Sequence, residues 1–97
     1  MIEPFQLGTI FETPGAAALL KEIDMSAYDV VKRHSEGDWG ELSAADKEAN
    51  NRALKDGSRI LSCYIVGKPD RKLWVLTEAE DDDGNRVATT ILLPKEY

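Results

Sequence analysis

"ALKDGSRILSCYIVG", residues 53–67, changes its periodicity at Gly57. Up to Asp56 the chain is polar with small apolar residues at helical spacing, and a glycine at that point supplies the left-handed turn that ends helices. Beyond it the run is rich in β-branched and aromatic residues and reads as a strand. Within that strand Leu61, Cys63 and Ile65 alternate with Ile60, Ser62, Tyr64 and Val66. Both faces are partly apolar, which predicts the central or most covered strand of a sheet.

Upstream of Gly57 the punctuation is helical. Thr13 before Pro14 matches an N-cap followed by proline at the first helical position. The helix it opens, "PGAAALLKEI", puts Leu19, Leu20 and Ile23 on one face. Ser26 with Asp29 three residues on resembles a capping box for "AYDVVKRHS", and Gly37 is placed to end that helix. Ser43 with Asp46 repeats the signal for "AADKEANNRALKDG", where Ala45, Ala49 and Ala53 form a row that predicts close approach to a neighbouring element.

Downstream, "KLWVLTEAE" and "RVATTILLP" continue the strand pattern. The connections "GKPDR" and "DDDGN" carry the Gly, Pro, Asp and Asn of tight reversals. Three strands with short loops predict an antiparallel meander, and the preceding helices are the layer available to cover it. The predicted fold is therefore α+β in a single domain over 1–97. About three N-terminal helices (about 13–57) pack on one face of a C-terminal three-stranded antiparallel meander (about 58–94).

Composition narrows the function classes. Hydrophobic residues make up 42% of the 97, enough for a modest core, and a charged fraction of 31% is balanced enough to argue against disorder. The formal net charge of −6 disfavours binding to phosphate backbones, which rests on clustered Lys and Arg. The N-terminus has no basic start followed by an apolar run, and no stretch approaches the ~20 apolar residues of a membrane span. A cytoplasmic protein is expected. Cys63, the lone cysteine, lies in an apolar run and reads as a small buried hydrophobe.

Chemistry concentrates in "RHSEGDWGEL", residues 33–42, which holds the only histidine. Helical spacing places His34 on the face of Val31, Val30 and Ala27, near the end of its helix. A half-buried histidine tied to the following turn fits that position. So does a general acid or base, for which histidine is the natural side chain near neutral pH. Gly37, Asp38, Trp39 and Gly40 read as a corner: glycines for unusual backbone angles, Asp38 for the turn's N–H groups, and Trp39 as a plug. Asp38 is alternatively a partner for His34.

No metal or cofactor is expected. One Cys and one His do not make a zinc site. Placing Gly84 at the sixth position of a calcium loop puts Ala79 first and Thr90 twelfth, so that motif fails, and the acidic run Glu80 to Asp83 reads as a solvated hairpin tip. Phosphate-binding and dinucleotide-binding glycine signatures and the nucleophile elbow are absent from the sequence.

"RHSEGDWGEL", followed by "DKEANNRAL", "GSRILSCY", "LWVLTEA" and "TTILLPKEY", resembles a group of small, uncharacterised bacterial proteins of plasmids and integrated mobile elements. The resemblance spans about residues 7–97. It rests on R-H-x-x-G-D-W-G, here Arg33, His34, Gly37, Asp38, Trp39 and Gly40, and on T-T-I-L-L-P, here Thr89 to Pro94. The acidic connection "EDDDGNRVA" departs from the shorter turn of that group.

Two functions remain. One is a non-enzymatic accessory or regulatory protein of a mobile element that binds a protein partner, with self-association through a sheet edge as one form of contact. The other is a metal-independent ribonuclease of RelE- or barnase-like type. There His34 is the acid or base, and Arg59 or Arg86 with Thr89 or Thr90 stabilises a phosphate.

Overall fold

A computed structural model describes residues 4–97. Its elements in chain order are β1 (Thr9–Glu12), α1 (Pro14–Glu22), α2 (Ala27–Ser35), α3 (Ala44–Asp56), β2 (Ile60–Val66), β3 (Arg71–Thr77), β4 (Ala88–Leu92) and a closing 3-10 turn, Pro94–Glu96.

The helix signals act as their chemistry dictates. The Thr13 side chain accepts from Ala16 N–H, with Pro14 opening α1. Ser26 and Asp29 form the reciprocal capping box of α2, and Ser43 caps α3 through Asp46 N–H. Gly57 ends α3 in the left-handed conformation at φ 82°. Ala16, Leu19, Leu20, Val30 and His34 are the residues that α1 and α2 bury.

The sheet corrects the meander. It has four strands in the order β1-β4-β3-β2, and β1 runs parallel to β4 while the other pairs are antiparallel. A strand therefore precedes the helices, and the division into a helical part and a following sheet fails at residues 9–12. The physical reason is that β1's partner lies about eighty positions away, with Thr9 beside Ala88 and Glu12 beside Ile91. Four residues are too short for a period to show, and the Thr13–Pro14 cap next to them points to a helix.

β2 is an edge strand rather than a central one, β4 and β3 being central, yet it is the most covered strand of the sheet. Both faces of β2 are partly apolar because helix and loop segments wrap its edge. Asn50 on α3 donates from Nδ2 to Leu61 C=O (2.8 Å) and accepts from Leu61 N–H at Oδ1 (3.2 Å). Beside it Cys63 N–H donates to Trp39 C=O (3.1 Å), and Glu41 N–H donates to Cys63 C=O (2.7 Å). The row of alanines on α3 is corrected by the same contact. Ala45 and Ala49 are exposed, and the buried stripe runs through Asn50, Ala53 and Gly57.

Side chains of even number in β2 and odd number in β3 and β4 share one face, as the pairs Ile60–Thr77, Tyr64–Leu73, Val75–Ile91 and Thr77–Thr89 require. This face meets α1 and α2 in a core of Leu19, Leu20, Val30, Tyr64, Leu73, Val75 and Ile91. A second cluster gathers Trp39, Ala53 and Ile60 beneath α3, with Phe5, Leu42 and Leu54 at its border. The free thiol of Cys63 is buried. Among the described residues no helix is long and apolar enough to cross a membrane.

Candidate functional site

His34 is wholly buried, and its two ring nitrogens meet side chains from two strands. Nδ1 lies 2.6 Å from Ser62 Oγ and Nε2 lies 2.9 Å from Thr77 Oγ1. Thr77 Oγ1 is 2.7 Å from Thr89 Oγ1, and the Thr89 hydroxyl donates to Leu7 C=O at 2.7 Å.

That last carbonyl fixes the direction of the whole chain. A carbonyl only accepts, so Thr89 donates to it and must accept from Thr77. Thr77 then accepts from Nε2–H of His34, which leaves Nδ1 as the acceptor for the Ser62 hydroxyl. That second assignment holds for the neutral ring, the form that burial favours, in the tautomer protonated at Nε2. Burial pushes its pKa from 6.5 down to about 4. Phe5 and Trp39 close over the ring edge-on, with centroids 5.4 and 5.9 Å away.

The residues after His34 form the corner. Gly37 N–H donates to His34 C=O (3.2 Å) and Asp38 N–H to Arg33 C=O (3.0 Å), the paired bonds of a Schellman turn, with Gly37 at φ 84°. Asp38 partners Arg33 rather than His34: Arg33 Nε donates to Asp38 Oδ2 at 2.6 Å. That bond raises the pKa of Arg33 and lowers that of Asp38, and both side chains are about half exposed, so the pair adds little stability. Arg33 also lies over the Tyr64 ring, 4.3 Å from its centroid, and the Tyr64 hydroxyl donates to Asp38 C=O (2.7 Å). Burial pushes the Tyr64 phenol up to about 12.

Trp39 is buried and donates from Nε1 to Asn51 Oδ1 (3.1 Å). Gly40, at φ 76°, lays the chain against β2 so closely that an added Cβ would stand 2.0 Å from Cys63 O.

The other candidates disperse. Thr89 points into the core and joins His34 through Thr77, whereas Thr90, its neighbour, lies on the opposite face of the sheet. Arg86 is buried and donates to three carbonyls: Nη1 to Ser58 (2.7 Å) and Glu78 (3.0 Å), Nη2 to Ala53 (2.9 Å). It thereby satisfies the end of α3 and the start of the long β3–β4 connection. Arg59 sits on the helix-free side, with its guanidinium 5.4 Å from the Tyr97 ring centroid.

The acidic connection folds on itself. Asp81 Oδ1 accepts from Asp83 N–H and Asn85 N–H, both at 2.9 Å. Among the described residues no group of acidic, His and Cys side chains is arranged to hold a metal ion.

Comparison with known protein families, curated proteins and solved structures finds no match. What the chain offers a ligand must be read from its own surface. The helix-free face carries Trp74, Leu76, Leu61 and Thr90, half-buried, together with exposed Phe11 and Tyr97. Trp74 and Tyr97 pack edge to face at 5.7 Å. Where this face meets α3, a groove of about 460 Å³ is lined by Leu61, Cys63 and Trp74, by Arg59 and Lys72 from the strand side, and by Glu41 and Asp46 from the α3 side.

Sequence reasoning missed Ser62, Thr77 and Asn50. The first two had a usable signal: a polar residue at an alternate position of an otherwise apolar strand face, at the same level as the lone histidine. Asn50 had none, because its partner is backbone.

Proposed function

We propose that this chain is a non-enzymatic accessory or regulatory protein that works through protein–protein contacts on the helix-free side of its sheet. The observation that carries this reading is a sheet face that no helix covers, on which Phe11 and Tyr97 are exposed and Trp74 and Leu76 half-buried. Aromatic side chains exposed on a helix-free sheet face suit an interaction site. The groove beside Trp74 offers an apolar wall between charges of both signs, which suits a peptide segment better than a polyanion. A net charge of −6 works in the same direction. The likeness to plasmid and mobile-element proteins supplies the setting: an accessory partner of an element-encoded or host protein.

The ribonuclease reading gains no support from the geometry. Its acid–base residue needs reach to a substrate proton, and His34 has both nitrogens engaged inside the core. The phosphate-stabilising candidates lie on opposite faces or under α3.

The test is paired. Tagged wild-type protein and its Trp74→Glu variant are used to capture partners from a bacterial lysate, and both are assayed on RNA. The proposal expects a stoichiometric partner that wild type retains and the variant loses. RNA cleavage by wild type that disappears in His34→Ala, with no such partner, overturns it.

A further inference from the structure

The two edges of the sheet are finished differently. The outer edge of β2 is closed over most of its length, by the Asn50 amide on Leu61 and by the Trp39–Glu41 backbone on Cys63, leaving Ile65 as its open outward position. Among the described residues nothing pairs with the outer edge of β1. Thr9 N–H donates to Val87 C=O and Thr13 N–H to Ile91 C=O, both at 3.0 Å, which fixes the parity of the strand. Residues 9, 11 and 13 turn their backbone groups inward to β4, so the N–H and C=O of Ile10 and Glu12 point outward. Ile10 is 41% exposed and Phe11 52%. The segment, "TIFE", has no proline, lysine or bulge to deter another strand.

We propose that β1 pairs with β1 of a second copy, antiparallel about a two-fold axis, so that two four-stranded sheets become one continuous sheet. This rests on the reading of the chain as a contact protein and names one of its partners. Parity restricts the register, because residues that exchange hydrogen bonds must both be outward-facing. Placing Ile10 opposite Glu12 of the second copy satisfies this on both sides of the axis. Four backbone bonds then form, each donor meeting an acceptor by symmetry.

Phe11 faces its own symmetry mate on the helix-free side, in a non-hydrogen-bonded pair where side chains stand closest. No like charges oppose each other, since each Glu12 faces Ile10. The alternative, Ile10 opposite Ile10, would require Gly8 to pair with Glu12, and Gly8 at φ 65° is not extended. A foreign extended segment would gain the backbone bonds but not the aromatic pair, which is why the edge fits its own copy best.

The same parity supplies a clean variant. Ile10→Pro removes an outward N–H and leaves the inward ladder to β4 untouched, so it deletes the contact between copies while retaining the fold. Sedimentation of the purified full chain is expected to show a dimer that grows with protein concentration. Both Ile10→Pro and Phe11→Lys are expected to weaken it about tenfold or more, a loss of ~1.4 kcal/mol, with thermal unfolding verifying that each variant is folded. Phe11→Cys is expected to oxidise to a covalent dimer, and Ile10→Cys is not. Wild type that stays monomeric at all concentrations, or a dimer unaffected by Phe11→Lys, overturns the proposal. Either result leaves capture at Trp74 intact, and failure of that capture leaves the dimer measurable, so the two readings fail separately.

Discussion

The side-chain amide of Asn50 occupies the place of a neighbouring strand for Leu61, donating to its C=O at 2.8 Å and accepting from its N–H at 3.2 Å. An asparagine can do this because its amide carries a donor and an acceptor in the same geometry as a peptide group. Asn50→Leu keeps the volume and leaves two backbone groups without partners, so it is expected to cost ~2 kcal/mol in chemical denaturation. Asn50→Asp retains the acceptor and loses the donor, and is expected to be destabilising as well. A neutral Asn50→Leu would mean that the edge of β2 is closed by other means.

The clamp made by Arg86 is expected to be the most sensitive charged position in the molecule. Arg86→Met would leave the carbonyls of Ser58 and Glu78 without their donor and that of Ala53 with only the Gly57 N–H, and is expected to cost ~3 kcal/mol. Arg86→Lys cannot reproduce the planar fork, so it is expected to restore only part of the loss. Full rescue by lysine would show that charge rather than geometry holds the site.

Much of this architecture is legible in the sequence where cause and effect are neighbours. Thr13, Ser26 and Ser43 cap helices because their partners lie within three residues, and Gly57 stops α3 by its own backbone freedom. The buried face of His34 follows from its spacing to Val30 and Val31. What stayed hidden depends on distant pairing. β1 is a strand only because β4 lies beside it, and β2 is an edge strand sealed by α3. The partners of His34 are hydroxyls 28 and 43 positions away. Of the candidate site, the corner formed by Gly37, Asp38, Trp39 and Gly40 was readable as turn chemistry. The separation of Thr89 from Thr90, and the sequestration of Arg86, were not, because alternation alone does not say which face the helices cover.

Gly40 is expected to tolerate no side chain. At φ 76°, with an added Cβ only 2.0 Å from Cys63 O, Gly40→Ala combines backbone strain with a clash against a strand that is paired on its other side. A loss of ~2 kcal/mol or more is expected, against ~1 kcal/mol for Gly37→Ala, where the positive φ is the cause. Equal losses at the two positions would remove the close approach to β2 as the reason for the second glycine.

Acid sensitivity follows from the buried ring. The folded pKa of His34, about 4, lies below the ordinary value of 6.5, so folding favours the neutral form. Its contribution is complete above pH ~6.5 and is lost as the pH falls toward about 4, a total on the order of 3 kcal/mol. Denaturation midpoints measured across this window should fall for the wild type and remain flatter for His34→Leu, which has no proton to gain. Parallel curves for the two would assign the slope to carboxylates instead.

Whether the histidine of "RHSEGDWGEL" is a core residue, as proposed for a chain that acts through its surface, is read most directly at the ring itself. With one histidine in the sequence, nitrogen-15 labelling of histidine gives a single pair of ring signals to follow by NMR against pH. The predicted result is a neutral ring protonated at Nε2 that titrates near 4, with no change when RNA is added. A midpoint near 6.5, or a shift on adding RNA, would place the ring in contact with solvent and contradict the account.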